Sequence, residues 1–154
     1  MRLALIRHAI AEEGADDDAR PLSKKGRKRF QEEVKALARL ELRFERVLHS
    51  PKLRAVQTAE LLASLAGAGL EVTPLLARAP SEELLGLLRG DSLAVVGHEP
   101  HLSTLLAWLV SGDRALGARV ELKKGAVALL EGEPTPGGMQ LLALLPPKVL
   151  READ

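Results

Sequence analysis

Arg7-His8, Arg54 and His98 are the residues of this chain best suited to handle phosphate, and each lies where an apolar run gives way to polar sequence or where a helix begins. Leu3, Ala4, Leu5 and Ile6 form an unbroken apolar run, as expected of a strand buried on both faces of a parallel sheet, and Arg7-His8 ends it. A cation and an imidazole at that point would sit at the carboxyl edge of the sheet, in the crevice where open α/β folds bind ligands. Ser92 to Val96 repeats the arrangement, a second apolar strand closed by Gly97-His98. Between them, Ser50-Pro51 opens a helix whose first turns carry Lys52 and Arg54, and a helix start presents free amides and a positive dipole end to an anion. The chemistry indicated is a phosphate site with a histidine nucleophile. Taken singly, each feature is also compatible with a solvated loop or an ordinary surface arginine.

The elements that must position these residues follow in order. Ser23 is a predicted N-cap for a first helix whose apolar positions are Phe30, Val34 and Leu37. Its other face carries Lys24, Lys25, Arg27, Lys28 and Arg29, read as a solvated surface because no aromatic residues interleave to stack on bases. Glu45–His49 is a second strand, and the second helix is expected from about Pro51 to Ala66, with Ser50 as its cap. Glu71–Leu76 is a predicted edge strand, since Pro74 cannot donate to a central ladder. Ser81 caps a short helix with Glu82 and Glu83 in its first turn, ended by Gly90. Leu102, Leu105, Leu106 and Leu109 form the stripe of a further helix. Gly125–Leu130 and Met139–Leu145 form an antiparallel hairpin, after which Pro146-Pro147 closes the fold.

Composition sets the bounds. The 154 residues suit one domain, 1–154, and 46% hydrophobic with 28% charged residues is the balance of a folded globular chain. A formal net charge of +1 gives no general attraction to nucleic acid or membrane, so neither is expected as a partner. The absence of cysteine removes disulfides, zinc thiolates and a cysteine nucleophile. Met1-Arg2-Leu3 runs into the first strand without a signal-like segment and no apolar run spans a bilayer, so a cytoplasmic location is expected. The lack of Asn, Tyr and Cys fits a thermophile or a GC-rich genome. His98 and His101 flank Pro100 without an evident third ligand, so no metal is expected.

Arg7-His8-Ala9, the segment Ser50 to Thr58 and Val96-Gly97-His98 together resemble the three signatures of the histidine phosphatase, or phosphoglycerate mutase-like, superfamily. Short length, Arg20-Pro21-Leu22-Ser23 and Lys124-Gly125-Ala126 are most similar to its SixA-type phosphohistidine phosphatases. The resemblance implies a three-layer α/β/α domain with a mostly parallel sheet and the C-terminal antiparallel hairpin. It further implies a metal- and cofactor-independent phosphatase working through a phosphorylated His8, with Arg7, Arg54 and His98 forming the phosphate pocket. Arg20 and Lys124 are added substrate-binding candidates, and Glu82 is the candidate general acid, although its surroundings do not match the family's acidic motif. Ala9 stands where the superfamily usually has Gly, and Lys124 where relatives have Thr or Ser. The substrate expected is phosphohistidine on a signal-transduction or phosphotransfer protein. A small phosphorylated metabolite or nucleotide, and a non-catalytic phosphate-binding module, are the alternatives. The oligomeric state is not read from the sequence, with a monomer favoured.

Overall fold

A computed structural model describes residues 1–152 of the chain. Its centre is a six-stranded sheet. β1 (Arg2–Arg7), β2 (Arg46–His49), β3 (Leu70–Val72) and β4 (Ser92–Gly97) run parallel, while β5 (Val127–Gly132) and β6 (Met139–Leu145) form the expected antiparallel hairpin. The spatial order is β3-β2-β4-β1-β5-β6, so β4 is inserted between β1 and β2. The apolar runs of β1 and β4 are buried along their lengths, as a parallel sheet covered on both faces requires.

Two layers of helix supply the cover. α1 (Lys24–Arg39), α2 (Leu53–Leu61) and α5 (Pro147–Glu152) bury Phe30, Leu37, Ala55, Ala59 and Leu150 against one face. α3 (Glu82–Leu87) and α4 (His101–Ser111) bring Leu84, Leu102, Leu105 and Leu109 to the other. Each fully buried Leu or Phe contributes about 1.5–3 kcal/mol by leaving water, so these faces hold the helices to the sheet. The α/β architecture expected from the sequence is the one present.

Local chemistry sets the helix starts. Ser23 Oγ accepts from Gly26 N at 2.9 Å and Ser81 Oγ from Leu84 N at 3.2 Å, the two predicted caps. Gly26 is required for a second reason: α1 begins directly over the chain leaving β1, and a Cβ at this position would overlap the Ile10 carbonyl.

Four expectations are corrected. α2 starts at Leu53 and ends at Leu61, with one 3-10 turn at Ala63–Leu65 after it, because Ser50 is not its cap. Ser50 Oγ instead accepts from Lys52 N at 3.2 Å, a local turn that keeps Lys52 extended. β3 is an edge strand but ends at Val72; Thr73 caps a 3-10 turn over Pro74–Ala77. α3 ends at Leu87, with Leu88 as its C-cap, rather than at Gly90. Finally, the chain continues past Pro146 as α5, with Pro147 in the first-turn position where its missing amide hydrogen costs nothing.

Candidate active site

Strand register brings the two histidines together. Arg7 of β1 pairs with Gly97 of β4, so His8 and His98 each lie one residue beyond the same rung, and His8 N donates to Gly97 O at 3.1 Å. Their ring centroids are 5.1 Å apart with an interplanar angle of 50°. On the other side of β4, His49 pairs with Val96, which puts Ser50 at the same edge. Ser50 Oγ lies 2.7 Å from His98 Nε2. The carboxyl ends of three neighbouring parallel strands thus deliver His8, His98 and Ser50 to one place.

The hydrogen bonds of His8 fix its tautomer. Nδ1 is 2.7 Å from Ala9 O, and a carbonyl can only accept, so the proton sits on Nδ1 and the Nε2 lone pair is available. Burial pushes the His8 pKa down to about 4; the backbone bond to Ala9 opposes this, while the charges of Arg54, Arg7 and Lys124 reinforce it. His98 is pushed down to about 3, chiefly by burial and then by His8, Arg54 and Lys52. Both rings are therefore neutral near pH 7.

Two guanidinium groups act on this centre. Arg7 Nη1 donates to Leu122 O at 2.8 Å, and burial lowers its pKa while Glu99 raises it. Arg54, on the first turn of α2 and only 6% exposed, donates from Nη1 to Asp17 O at 2.6 Å and from Nη2 to Asp17 Oδ2 at 3.2 Å. Among the described residues, four buried side-chain atoms have no hydrogen-bond partner. Three of them are Arg7 Nε, Arg54 Nε and His98 Nδ1, and the fourth is Glu33 Oε2. Unpaired buried polar atoms are costly, and three of them in the groups surrounding one imidazole mark a site built for an anion.

The remaining sequence candidates separate. Lys124 is exposed at the rim, and its charge reaches His8. Arg20 points elsewhere. Its Nε donates to Glu12 O at 2.7 Å and its Nη1 to Asp17 Oδ1 at 3.1 Å, so it braces the residue that holds Arg54. Glu82 lies exposed on the first turn of α3 and is not among the charges acting on Arg7, His8 or His98. The carboxylate felt by Arg7 and His101 is Glu99. It accepts from the backbone amide of Ser103 at 2.9 Å and from the Ser103 hydroxyl.

Three residues emerge to which the sequence assigned no part in the site. Ser50 addresses His98 as described. Buried Thr58 uses one hydroxyl to accept from Ala9 N at 3.0 Å and donate to Arg54 O at 2.8 Å, tying the turn after His8 to the helix bearing Arg54. Asp17 accepts from Arg54, Arg20 and Lys52, the last at 3.0 Å. Among the described residues, no group of three or more His, Asp or Glu side chains is placed to hold a metal ion, and no helix is long and apolar enough to cross a membrane.

The profile of the histidine phosphatase superfamily (branch 1) matches residues 3–78, which include His8 and Arg54. An uncharacterized protein of Picosynechococcus is 36% identical over 145 residues, covering 86% of each chain. The structure of the protein histidine phosphatase SixA complexed with tungstate superposes with a TM-score of 0.83 at 26% identity, covering 97% of this chain and 99% of that one. The chain belongs to the histidine phosphatase superfamily. The fold is shared more widely: phosphoserine phosphatase of Entamoeba histolytica, in complex with 3-phosphoglyceric acid, superposes at a TM-score of 0.75. It is 15% identical, with coverage of 97% and 98%.

Proposed function

We propose that this histidine phosphatase removes phosphate from phosphohistidine on a protein, using His8 as the nucleophile. The observation that carries the reading is the neutral His8 ring, with its Nε2 lone pair free, set among three buried nitrogens, Arg7 Nε, Arg54 Nε and His98 Nδ1, that have no partner among the described residues. The similarity to SixA over nearly the full length supports the choice of substrate.

In this reading His8 Nε2 attacks phosphorus, the bond from phosphorus to the substrate nitrogen breaks, and the leaving imidazole takes a proton from water. The hydroxide so formed attacks phospho-His8, the bond from phosphorus to Nε2 breaks, and hydrogen phosphate leaves with the neutral ring restored. Arg7, Arg54 and His98 donate to the non-bridging oxygens, where negative charge spreads in the transition state. Arginine suits this role because its planar fork donates two bonds at once and remains charged. Ser50, by hydrogen bonding to His98 Nε2, orients the ring so that Nδ1 faces the phosphoryl group. Lys124 adds positive potential at the rim. No carboxylic acid is required for this leaving group, which accords with Glu82 and Glu99 being turned to other uses.

Turnover of a phosphohistidine protein should be compared with a panel of phosphorylated metabolites and nucleotides, with tungstate as the inhibitor. The proposal expects kcat/KM for the phosphohistidine protein to exceed that for every small phosphate ester by at least an order of magnitude. A single metabolite turned over faster replaces the substrate, and failure to hydrolyse even an activated aryl phosphate leaves a binding module.

A further inference from the structure

The folded chain gathers several basic side chains on one side of the site. Arg7, Arg29, Lys123, Lys124, Lys148 and Arg151 line a single depression, together with Ile10 and Pro147 and no carboxylate. A second depression shares Arg29 and Arg151 and continues along α1 through Lys24, Lys25 and Lys28, with Glu32 as the one acid in its lining. The result is a continuous basic shelf that starts at a guanidinium of the active site and leads away from it. Sequence separation hides it: the contributing residues come from the end of β1, from α1, from the turn before β5 and from α5.

Three positive charges elsewhere near the site are already answered, since Arg20, Lys52 and Arg54 share Asp17. On the shelf, among the described residues, the one contact of a cation with a carboxyl group is Arg151 with the buried Glu33, at 4.0 Å. Against a net charge of only +1, this concentration is a local field that favours an acidic partner and hastens its encounter. Lys24 to Arg29 alone advances about 7.5 Å along α1, and the shelf adds the step from there to Arg7, so it outreaches a single phosphate ester. Nucleic acid is disfavoured because Phe30, Phe44 and Trp108 are buried and leave no ring for bases to stack on.

We infer that the shelf formed by α1, α5 and Lys123-Lys124 is the docking surface for a protein substrate whose phosphorylated histidine lies beside an acidic face. This deepens the phosphohistidine reading and rests on it for the identity of the substrate. Two synthetic peptides of equal length, each with one phosphohistidine, test it: one flanked by glutamates, the other by lysines. Their unphosphorylated forms serve as binding probes by fluorescence anisotropy. The shelf variant carries Lys25→Glu, Lys28→Glu and Lys148→Glu, all exposed positions. The control carries Arg2→Glu, Arg43→Glu and Arg89→Glu, an equal change of charge at the amino ends of the parallel strands.

Wild type and control should favour the acidic peptide over the basic one by tenfold or more in kcat/KM at low salt, converging as salt screens the charges. The shelf variant should lose that preference while its aryl phosphatase activity stays within about twofold of wild type. Equal loss in shelf and control variants, or unchanged preference in the shelf variant, overturns the docking surface. Tighter binding of a single-stranded RNA oligonucleotide than of the acidic peptide, abolished by the same substitutions, assigns the shelf to nucleic acid instead. If neither phosphopeptide is hydrolysed but the unphosphorylated acidic peptide binds in a shelf-dependent way, the docking surface stands and the phosphohistidine reading falls.

Discussion

Asp17 holds Arg54 at two points, through its backbone carbonyl at 2.6 Å and its carboxylate at 3.2 Å. Bonds from Lys52, Arg20 and Arg54 keep that carboxylate well below the usual carboxylate range, so it is charged at any working pH. The Asp17 side chain is 55% exposed, so water screens its charge and limits what the pair adds to stability. Its value lies in fixing the direction of a guanidinium. Asp17→Ala should therefore leave the unfolding midpoint nearly unchanged and lower kcat/KM by roughly tenfold, a loss of about 1.4 kcal/mol of transition-state stabilisation. Activity at the wild-type level in Asp17→Ala would show that Arg54 needs no such guide.

Thr58 carries a different weight because it is fully buried. Thr58→Val removes the hydroxyl while keeping the volume, leaving Ala9 N without its acceptor and Arg54 O without its donor. The expected cost is about 1–3 kcal/mol of stability in chemical denaturation, with reduced activity because His8 and Arg54 are no longer tied together. A stability change below about 0.5 kcal/mol would mean the turn after His8 is held by other contacts.

Ser50→Ala takes from His98 Nε2 its hydroxyl partner and frees the ring to turn. Loss of this positioning contact should lower kcat by roughly tenfold or more, with KM changed less, because the donor then fails in the transition state rather than in initial binding. Ser50→Thr, which restores a hydroxyl, should recover much of the loss. Equal activity in wild type and Ser50→Ala would remove Ser50 from the site.

The buried ionisable groups give opposite pH dependences. His8 and His98 have folded pKa values of about 4 and about 3, below the ordinary 6.5, so the folded state binds fewer protons than the unfolded one. Their contribution is full above pH 6.5 and is lost as the pH falls through the folded values, at up to about 1.4 kcal/mol per pH unit for each ring. Glu33 behaves the other way. Burial raises its pKa to about 8, the nearby Arg151 charge only partly offsetting this, and its carboxyl lies under Gly125, where a Cβ would collide with it. The folded state therefore holds a proton that the unfolded state releases above about 4.5, and stability falls as the pH rises from there through 8. Denaturation measured from pH 5 to 9 should give a maximum near neutrality, and Glu33→Gln should abolish the alkaline decline. An unchanged decline in Glu33→Gln would place its origin elsewhere.

Much of this was legible from residue order because the site is built where strands end. The apolar runs Leu3–Ile6 and Leu93–Val96 announce buried parallel strands, and their abrupt polar ends place Arg7, His8 and His98 without reference to the rest of the chain. Side chains with two possible uses were not legible. Ser50 reads as a helix cap until β2 and β4 align and His98 is found 2.7 Å away. Asp17 is one of several acids in a polar loop until α2 presents Arg54 to it. Pro146-Pro147 reads as an end, yet proline is tolerated at a helix start, and α5 then supplies Lys148 and Arg151 to the basic shelf. Glu82 is a candidate only through the acid that relatives place after the third strand, and the start of α3 gives its charge a sufficient role at the helix dipole.

Trapping the phosphorylated enzyme tests the role of His8 most directly. Wild-type protein mixed with an activated aryl phosphate, quenched rapidly under alkaline conditions that preserve phosphohistidine and followed by intact-protein mass spectrometry, should gain one phosphoryl group. Fragmentation should locate it on His8, and His8→Ala should gain none. Phosphate found on another residue, or hydrolysis by His8→Ala at the wild-type rate, would contradict the nucleophilic role assigned to this ring.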